Sequence, residues 1–369
     1  MPSHLYFHIP FCHRICPYCS FYKHQHGSTN LAEFVDAMLT EVDRAMEVRA
    51  TPPRTIYFGG GTPTALSESH LERLLAGLRE RLDLSQLVEF SMEANPRTVT
   101  QSKAAMMRAM GINRVSLGIQ AWDDGTLKTL GRDHAPAEAE DTFEILRAAG
   151  FPSLNIDLMF SIPGQTMAAW VGTLEHTLRL KPDHISAYNL NYEEDTEFFL
   201  RLKRGQFRED EDRDAEFFYR ALDLLETAGY DHYEISNYAK PGQQSLHNES
   251  YWMGADYQGF GPGAFSTVDG HRWQNVADTT RYMELLRQAG SPALPAEPLT
   301  PEQRRTERFG LELRTARGLP IDLVRPPALK MLDALHQEGL LEFHADRIRL
   351  TRAGKPLVDS IAVALMAEA

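Results

Sequence analysis

Six apolar, β-prone runs recur along the first half of the chain, at 4–9, 54–58, 88–92, 113–117, 153–160 and 184–190, with helix-length stretches between them. The stretch 31–46 sets the pattern for those intervals. Leu31, Phe34, Val35, Met38, Leu39, Val42, Ala45 and Met46 repeat at i, i+3, i+4 and i+7, which is one apolar face of a helix. Strands separated by whole helices cannot pair as hairpins. They must lie parallel, with each helix crossing one face of the sheet. Such a series builds either an open doubly wound sheet or a barrel, and in both the functional residues gather at the C-terminal strand ends.

The conspicuous residues obey that rule. All three cysteines of the 369-residue chain fall within Cys12-His-Arg-Ile-Cys16-Pro-Tyr-Cys19, directly after the first run. Gly59-Gly60-Gly61 follows the second run, Glu93 ends the third and Gln120 the fourth. Three thiolates at this spacing can hold three corners of a [4Fe–4S] cube and leave the fourth iron without a protein ligand. Electron carriers usually give every corner a cysteine. An open iron can bind a small molecule, which suits catalysis. The alternative is structural zinc with His8 or His13 as fourth ligand, but zinc ligands usually come as two separated pairs and no second pair follows here.

The C-x3-C-x2-C spacing resembles that of the radical S-adenosylmethionine (SAM) superfamily. Further runs narrow the resemblance to the anaerobic coproporphyrinogen III oxidase family: Tyr6-Phe-His8-Ile-Pro10-Phe11-Cys12, Gly59-Gly60-Gly61-Thr62-Pro63-Thr64, Glu93-Ala94-Asn95-Pro96, Ser116-Leu-Gly-Ile-Gln120 and Asn155-Ile-Asp157-Leu158. The resemblance covers most of the chain. It implies an α/β fold, a partial (β/α)6 barrel over 1–205 that is open on one side, with a family-specific extension over 206–298. The helices and hairpin over 299–369 resemble a smaller α+β, winged-helix-like domain, and the proline-rich segment 291–301 reads as the linker to it. The implied cofactors are a [4Fe–4S] cluster on Cys12, Cys16 and Cys19 and SAM on its open iron, which the reduced cluster cleaves in this superfamily to a 5′-deoxyadenosyl radical. Tyr6, Tyr18, Gly60, Gly61, Thr62 and Glu93 fall at SAM-lining positions. The glycines would let backbone approach the cofactor without a Cβ, and Glu93 would accept hydrogen bonds from it. Gln120, Arg132 and Asp157 match positions that contact a second SAM in the oxidase.

Departures from the oxidase shift the expected function. Its motif continues with a fourth cysteine two residues after the third, where this chain has Phe21. The sequence also starts only a few residues before the first run, so the N-terminal arm that helps to cover the oxidase's substrate is expected to be absent. His247-Asn248-x-x-Tyr251-Trp252 resembles the signature of the family's haem-chaperone branch. The resemblance therefore implies haem as a further ligand, with His247 as axial ligand and Tyr251 and Trp252 packed on the macrocycle. Delivery would be to recipient haemoproteins such as membrane cytochromes. The alternative is oxygen-independent oxidative decarboxylation of coproporphyrinogen III.

Composition bounds the rest. The chain is 43% hydrophobic, enough for a sizeable core, yet no run approaches the ~18 apolar residues of a membrane span. A net charge of −13 argues against nucleic acid as partner. The N-terminus lacks an export signal and the grouped thiols suit a reducing compartment, so a cytoplasmic location is expected. Peripheral association with the inner face of the membrane, and a homodimer, both stay open.

Overall fold

The computed structural model describes residues 2–48 and 51–367. Strands β1 (His4–Ile9), β2 (Thr55–Gly60), β3 (Glu89–Ala94), β4 (Arg114–Gln120), β5 (Ser153–Phe160) and β6 (His184–Asn189) lie side by side in chain order, all parallel. Crossovers are made by α1 (Leu31–Val48), α2 (Glu68–Arg81), α3 (Gln101–Ala109), α4 (Asp124–Thr129), α5 (Pro136–Ala148) and α6 (Met167–Leu180). Several begin on a side-chain cap. Ser67, Thr100, Asp123 and Thr166 each accept a backbone N–H three residues on, satisfying a donor that the first turn leaves without a partner.

The two faces of this sheet differ in chemistry, and period-2 alternation is the cause. Leu5 and Phe7, Ile56 and Phe58, Phe90 and Met92, Val115 and Leu117, Ile156 and Leu158 are all buried in the core against the helices. Full burial of each such side chain is worth roughly 1.5–3 kcal/mol, so this outer face drives assembly. The alternate positions are polar: Tyr6, Tyr57, Glu93, Ser116, Asn155, Asp157, His184 and Tyr188 face the interior. They are held in register by the same ladder.

The extension completes the sheet at both edges. After α7 (Glu197–Lys203) and α8 (Glu211–Thr227), β7 (Asp231–Glu234) and β8 (Asn237–Ala239) form a hairpin, and β8 pairs antiparallel with β6. Then α9 (Leu246–Trp252) leads to β9 (Gln258–Phe260), which pairs parallel with β1. The nine-stranded order is β7-β8-β6-β5-β4-β3-β2-β1-β9, a ladder that does not close on itself. A second sheet holds β10 (Phe265–Val268), β11 (His271–Gln274) and β12 (Glu297–Pro298), with α10 (Thr279–Arg287) inserted before β12.

The segment 291–301 is not a free tether. Val276 N bonds to Pro292 O at 2.9 Å, Leu294 N to Gln274 O at 2.8 Å and Leu299 N to Gly270 O at 2.8 Å, so the segment lies along the β10–β11 hairpin. Its prolines are tolerated because an edge strand need donate on only one side. Beyond it, α11 (Pro301–Glu312), β13 (Leu319–Pro320), α12 (Leu329–Gln337), β14 (Leu341–His344), β15 (Arg347–Leu350) and α13 (Val358–Ala367) surround a separate core that includes Phe309, Leu332, Ile348 and Leu365. Its antiparallel sheet runs β13-β15-β14. Among the described residues no helix is long and apolar enough to cross a membrane.

Candidate functional site

The cysteine loop is fastened where it leaves β1. Backbone bonds run from Cys12 N to His24 O (3.0 Å), His24 N to Pro10 O (2.8 Å), Gly61 N to Ile9 O (2.8 Å) and Thr62 N to Phe11 O (2.8 Å). The turn after β2 must come very close for this. Gly60 has φ of +109°, and a Cβ there would sit 2.7 Å from the His8 ring; one on Gly61 would meet the Pro10 carbonyl carbon at 2.8 Å. These glycines are thus required by the chain's own packing, before any ligand is considered. The family resemblance points instead to SAM as the reason for them.

All three thiols are free and open on one cleft of about 400 Å³ at the C-terminal strand ends. Tyr18, Gly60, Gly61, Thr62, Glu93, Gln120, Arg132 and Asp157 line the same cleft. Tyr6 does not; its hydroxyl bonds His8 Nδ1 at 3.0 Å and it lines a second cleft beside β1. His8 is also committed through Nε2, 2.8 Å from Tyr22 O, so neither ring nitrogen is left to complete a zinc site.

A relay of hydrogen bonds joins two of the sulfurs. Arg132 donates to Asn95 Oδ1 at 2.9 Å, Asn95 Nδ2 donates to Thr62 Oγ1 at 2.9 Å, and Thr62 Oγ1 lies 3.7 Å from Cys12 Sγ. Arg132 Nη1 is 3.7 Å from Cys16 Sγ, and its buried Nε has no partner among the described residues. Lys23 Nζ donates to Cys19 O. Donors therefore approach the sulfurs from several sides, which fits a set of thiolates sharing a negatively charged cluster. Burial pushes the Cys12 thiol up to about 11, so ligation must displace protons.

Opposite the thiols, Glu93 accepts the Tyr57 hydroxyl at 2.9 Å. Burial pushes its carboxyl up to about 7, with the charge of Asp157 adding to the rise against the Tyr57 bond. Asp157 accepts from Ser116 Oγ (2.8 Å) and Asn155 Nδ2 (2.7 Å). Gln120 stands at the β4–β5 register shift with φ of +73°, a left-handed backbone held by its neighbours. Asn95, Tyr57 and Tyr188 also line this cleft, and sequence reasoning did not single them out. Asn95 had a signal, since it lies inside the Glu93-Ala94-Asn95-Pro96 run.

The second cleft is larger, about 1220 Å³. Its walls include Tyr6 and His8 of β1, Tyr251 and Trp252 of α9, and Phe265 of β10, with α11 along one side. Ser20 and the exposed Phe21 line both clefts and form their shared wall. His247, expected as an axial ligand, is not open to either. It is fully buried, stacked on Tyr57 at 5.1 Å, with Nδ1 2.7 Å from Thr55 Oγ1 and Nε2 2.9 Å from the Tyr251 hydroxyl. Burial pushes its pKa down to about 3. Its helix is seated by buried Glu89, which accepts the N–H groups of Leu246 (2.7 Å) and His247 (3.2 Å).

Family models for the radical SAM superfamily and the HemN C-terminal domain match residues 6–177 and 299–357. Among curated proteins, the chain is 36% identical to the "Heme chaperone HemW" of Lactococcus lactis, over 92% of this chain and 89% of that one. It is 35% identical to the protein of that name in Escherichia coli, over 100% and 99%, and 33% identical to that of Bacillus subtilis, over 98% and 99%. Among solved structures, coproporphyrinogen III oxidase (HemN) from Escherichia coli superposes with a TM-score of 0.86 at 24% identity. That match covers 99% of this chain and 90% of the oxidase, a likeness of fold.

Proposed function

The chain belongs to the HemW family of radical SAM proteins, and from that premise we propose that it is a haem chaperone that delivers haem to respiratory haemoproteins such as membrane cytochromes. One observation carries this reading. The Tyr251-Trp252 pair of the H-N-x-x-Y-W helix lines a cleft of about 1220 Å³, above the ~300–1,000 Å³ of most small-molecule sites and roomy enough for a macrocycle. Because Ser20 and Phe21 wall this cleft from the cysteine cleft, what binds in one is adjacent to what binds in the other.

In the cysteine cleft, Cys12, Cys16 and Cys19 would hold the [4Fe–4S] cluster that the radical SAM family implies. Tyr18, Gly60, Gly61, Thr62 and Glu93 would hold SAM, while Gln120, Arg132 and Asp157 stand at the positions that contact a second SAM in the oxidase. When bound, the cluster and SAM supply one-electron reductive chemistry. The chain's own residues position and insulate. Arg132, Asn95 and Thr62 steady the sulfurs, and Tyr57 orients the Glu93 carboxylate. If Glu93 accepts hydrogen bonds from SAM, binding favours its ionised form. SAM affinity, measured by equilibrium dialysis, should then rise with pH through about 7 and level off above it. Glu93→Gln should flatten that rise, and a flat wild-type profile would remove Glu93 from the SAM site.

The oxidase reading rests on the fold and the motifs that the two branches share, which do not by themselves assign an activity. Anaerobically reconstituted protein separates the two functions. It should take up one haem per chain, seen in the Soret band, and leave coproporphyrinogen III unconverted with SAM and reductant present. Robust formation of protoporphyrinogen with SAM consumed in step would replace the chaperone with the oxidase.

A further inference from the structure

Helix α11 turns a stripe of arginine toward the larger cleft. Arg304 and Arg308 stand one turn apart on its face, with Leu311 beside them. Most other charge along this wall is spoken for. Arg272 is held by both carboxylate oxygens of Glu307, and Arg314 by Asp359. Arg308 donates to Glu312 Oε1 at 2.7 Å, but that buried carboxylate is shared with Arg347 at 3.2 Å, so two guanidiniums face one negative charge. Arg304 has no carboxylate partner among the described residues. Its guanidinium lies over the β10–β11 turn, where a Cβ on Gly270 would come 3.3 Å from Nη1. Asp256 also lines the cleft and accepts only the Asp269 N–H at 2.8 Å among the described residues, so two surplus guanidiniums face one carboxylate here, in a chain whose net charge is −13.

We infer that Arg304 and Arg308 receive the two carboxylates of the haem edge, with the macrocycle lying inward against Trp252 and Phe265. This rests on the haem reading above and adds to it the end of the cleft at which the ligand is recognised. Residues four apart on a helix are separated by ~6 Å along its axis, and flexible arginine arms span the rest, so both carboxylates on one edge can be met at once. Guanidinium suits this task because its planar fork pairs with a carboxylate through two parallel bonds. Three of the cleft's four arginines have acidic partners already; Arg304, the free one, should carry most of the recognition.

Haemin and its dimethyl ester, which lacks both carboxylates, are the probes, titrated into the full chain and followed in the Soret band. Arg304→Gln should weaken haemin binding about tenfold and the Arg304→Gln/Arg308→Gln pair about a hundredfold, consistent with charge-assisted bonds. Arg304→Lys should recover only part of the lost affinity, because an ammonium keeps the charge but not the two parallel bonds. The ester should bind wild type and variants alike. Arg304 is exposed, so its substitution should leave the melting temperature unchanged. Equal haemin affinity in wild type and the double variant would overturn the assignment while leaving haem binding itself intact. A wild type that binds neither probe would instead remove the haem reading and this assignment together.

Discussion

Alanine in place of Cys12, Cys16 or Cys19 should abolish the iron–sulfur cluster outright. Reconstituted wild type should contain about four iron and four sulfide per chain, and each single variant close to none. The size of the effect follows from the geometry. With three protein ligands for four irons, no spare thiolate exists among the chain's three cysteines to replace a lost one. The fold should survive the change. The loop is pinned by backbone bonds at Cys12 N, His24 N, Gly61 N and Thr62 N, none of which needs a sulfur, and Cys16 and Cys19 are only half-buried. Loss of iron with an unchanged apo melting temperature is therefore the expected pair of results. A variant that keeps full iron and sulfide would show that its cysteine is not a ligand. One zinc and no sulfide in the wild type would end the cluster assignment.

The features that were legible in the sequence share a physical basis. The six parallel strands announce themselves because their outer face is apolar and their ends carry turn residues, both local signals. The cysteine cleft was legible for the same reason: its members sit at successive strand ends, which a parallel fold must bring together. What the sequence did not show depends on contacts between distant segments. Strand β9 is three residues long, Gln258–Phe260, and is a strand only because β1 offers it a free edge. The proline-rich segment looked like a linker because prolines remove donors, yet its carbonyls and remaining N–H groups still pair with the hairpin. Arg304 had no signal at all, since being unpaired is decided by where the acids of other elements point. His247 is the sharpest case. Its motif identified it as important, but Thr55 and Tyr57, about 190 residues earlier, determine that it is buried.

That burial makes Tyr251 the expected control point for haem ligation by His247. The imidazole is neutral well below physiological pH, the form that binds iron. In the tautomer that donates Nδ1–H to Thr55 Oγ1, Nε2 keeps its lone pair and accepts the Tyr251 hydroxyl at 2.9 Å. Tyr251 in turn lines the large cleft, so one phenol stands between the nitrogen and the space where haem would lie. Tyr251→Phe removes that competing hydrogen bond without removing the ring. Haem uptake by this variant should be faster than in wild type, with the same final Soret maximum. His247→Ala should shift or weaken the Soret band and lose the axial-ligand signature, while leaving the iron–sulfur absorbance alone. It will also cost stability, about 2–4 kcal/mol, because it opens a cavity beside Tyr57 and removes one hydrogen-bond partner from each of Thr55 and Tyr251. That cost is below the ~5–15 kcal/mol of a typical domain, so the variant should still fold for the titration. An unaltered haem spectrum in His247→Ala would place the iron ligand elsewhere in the cleft. Slower uptake by Tyr251→Phe would mean that the phenol helps to hold haem and does not guard the nitrogen.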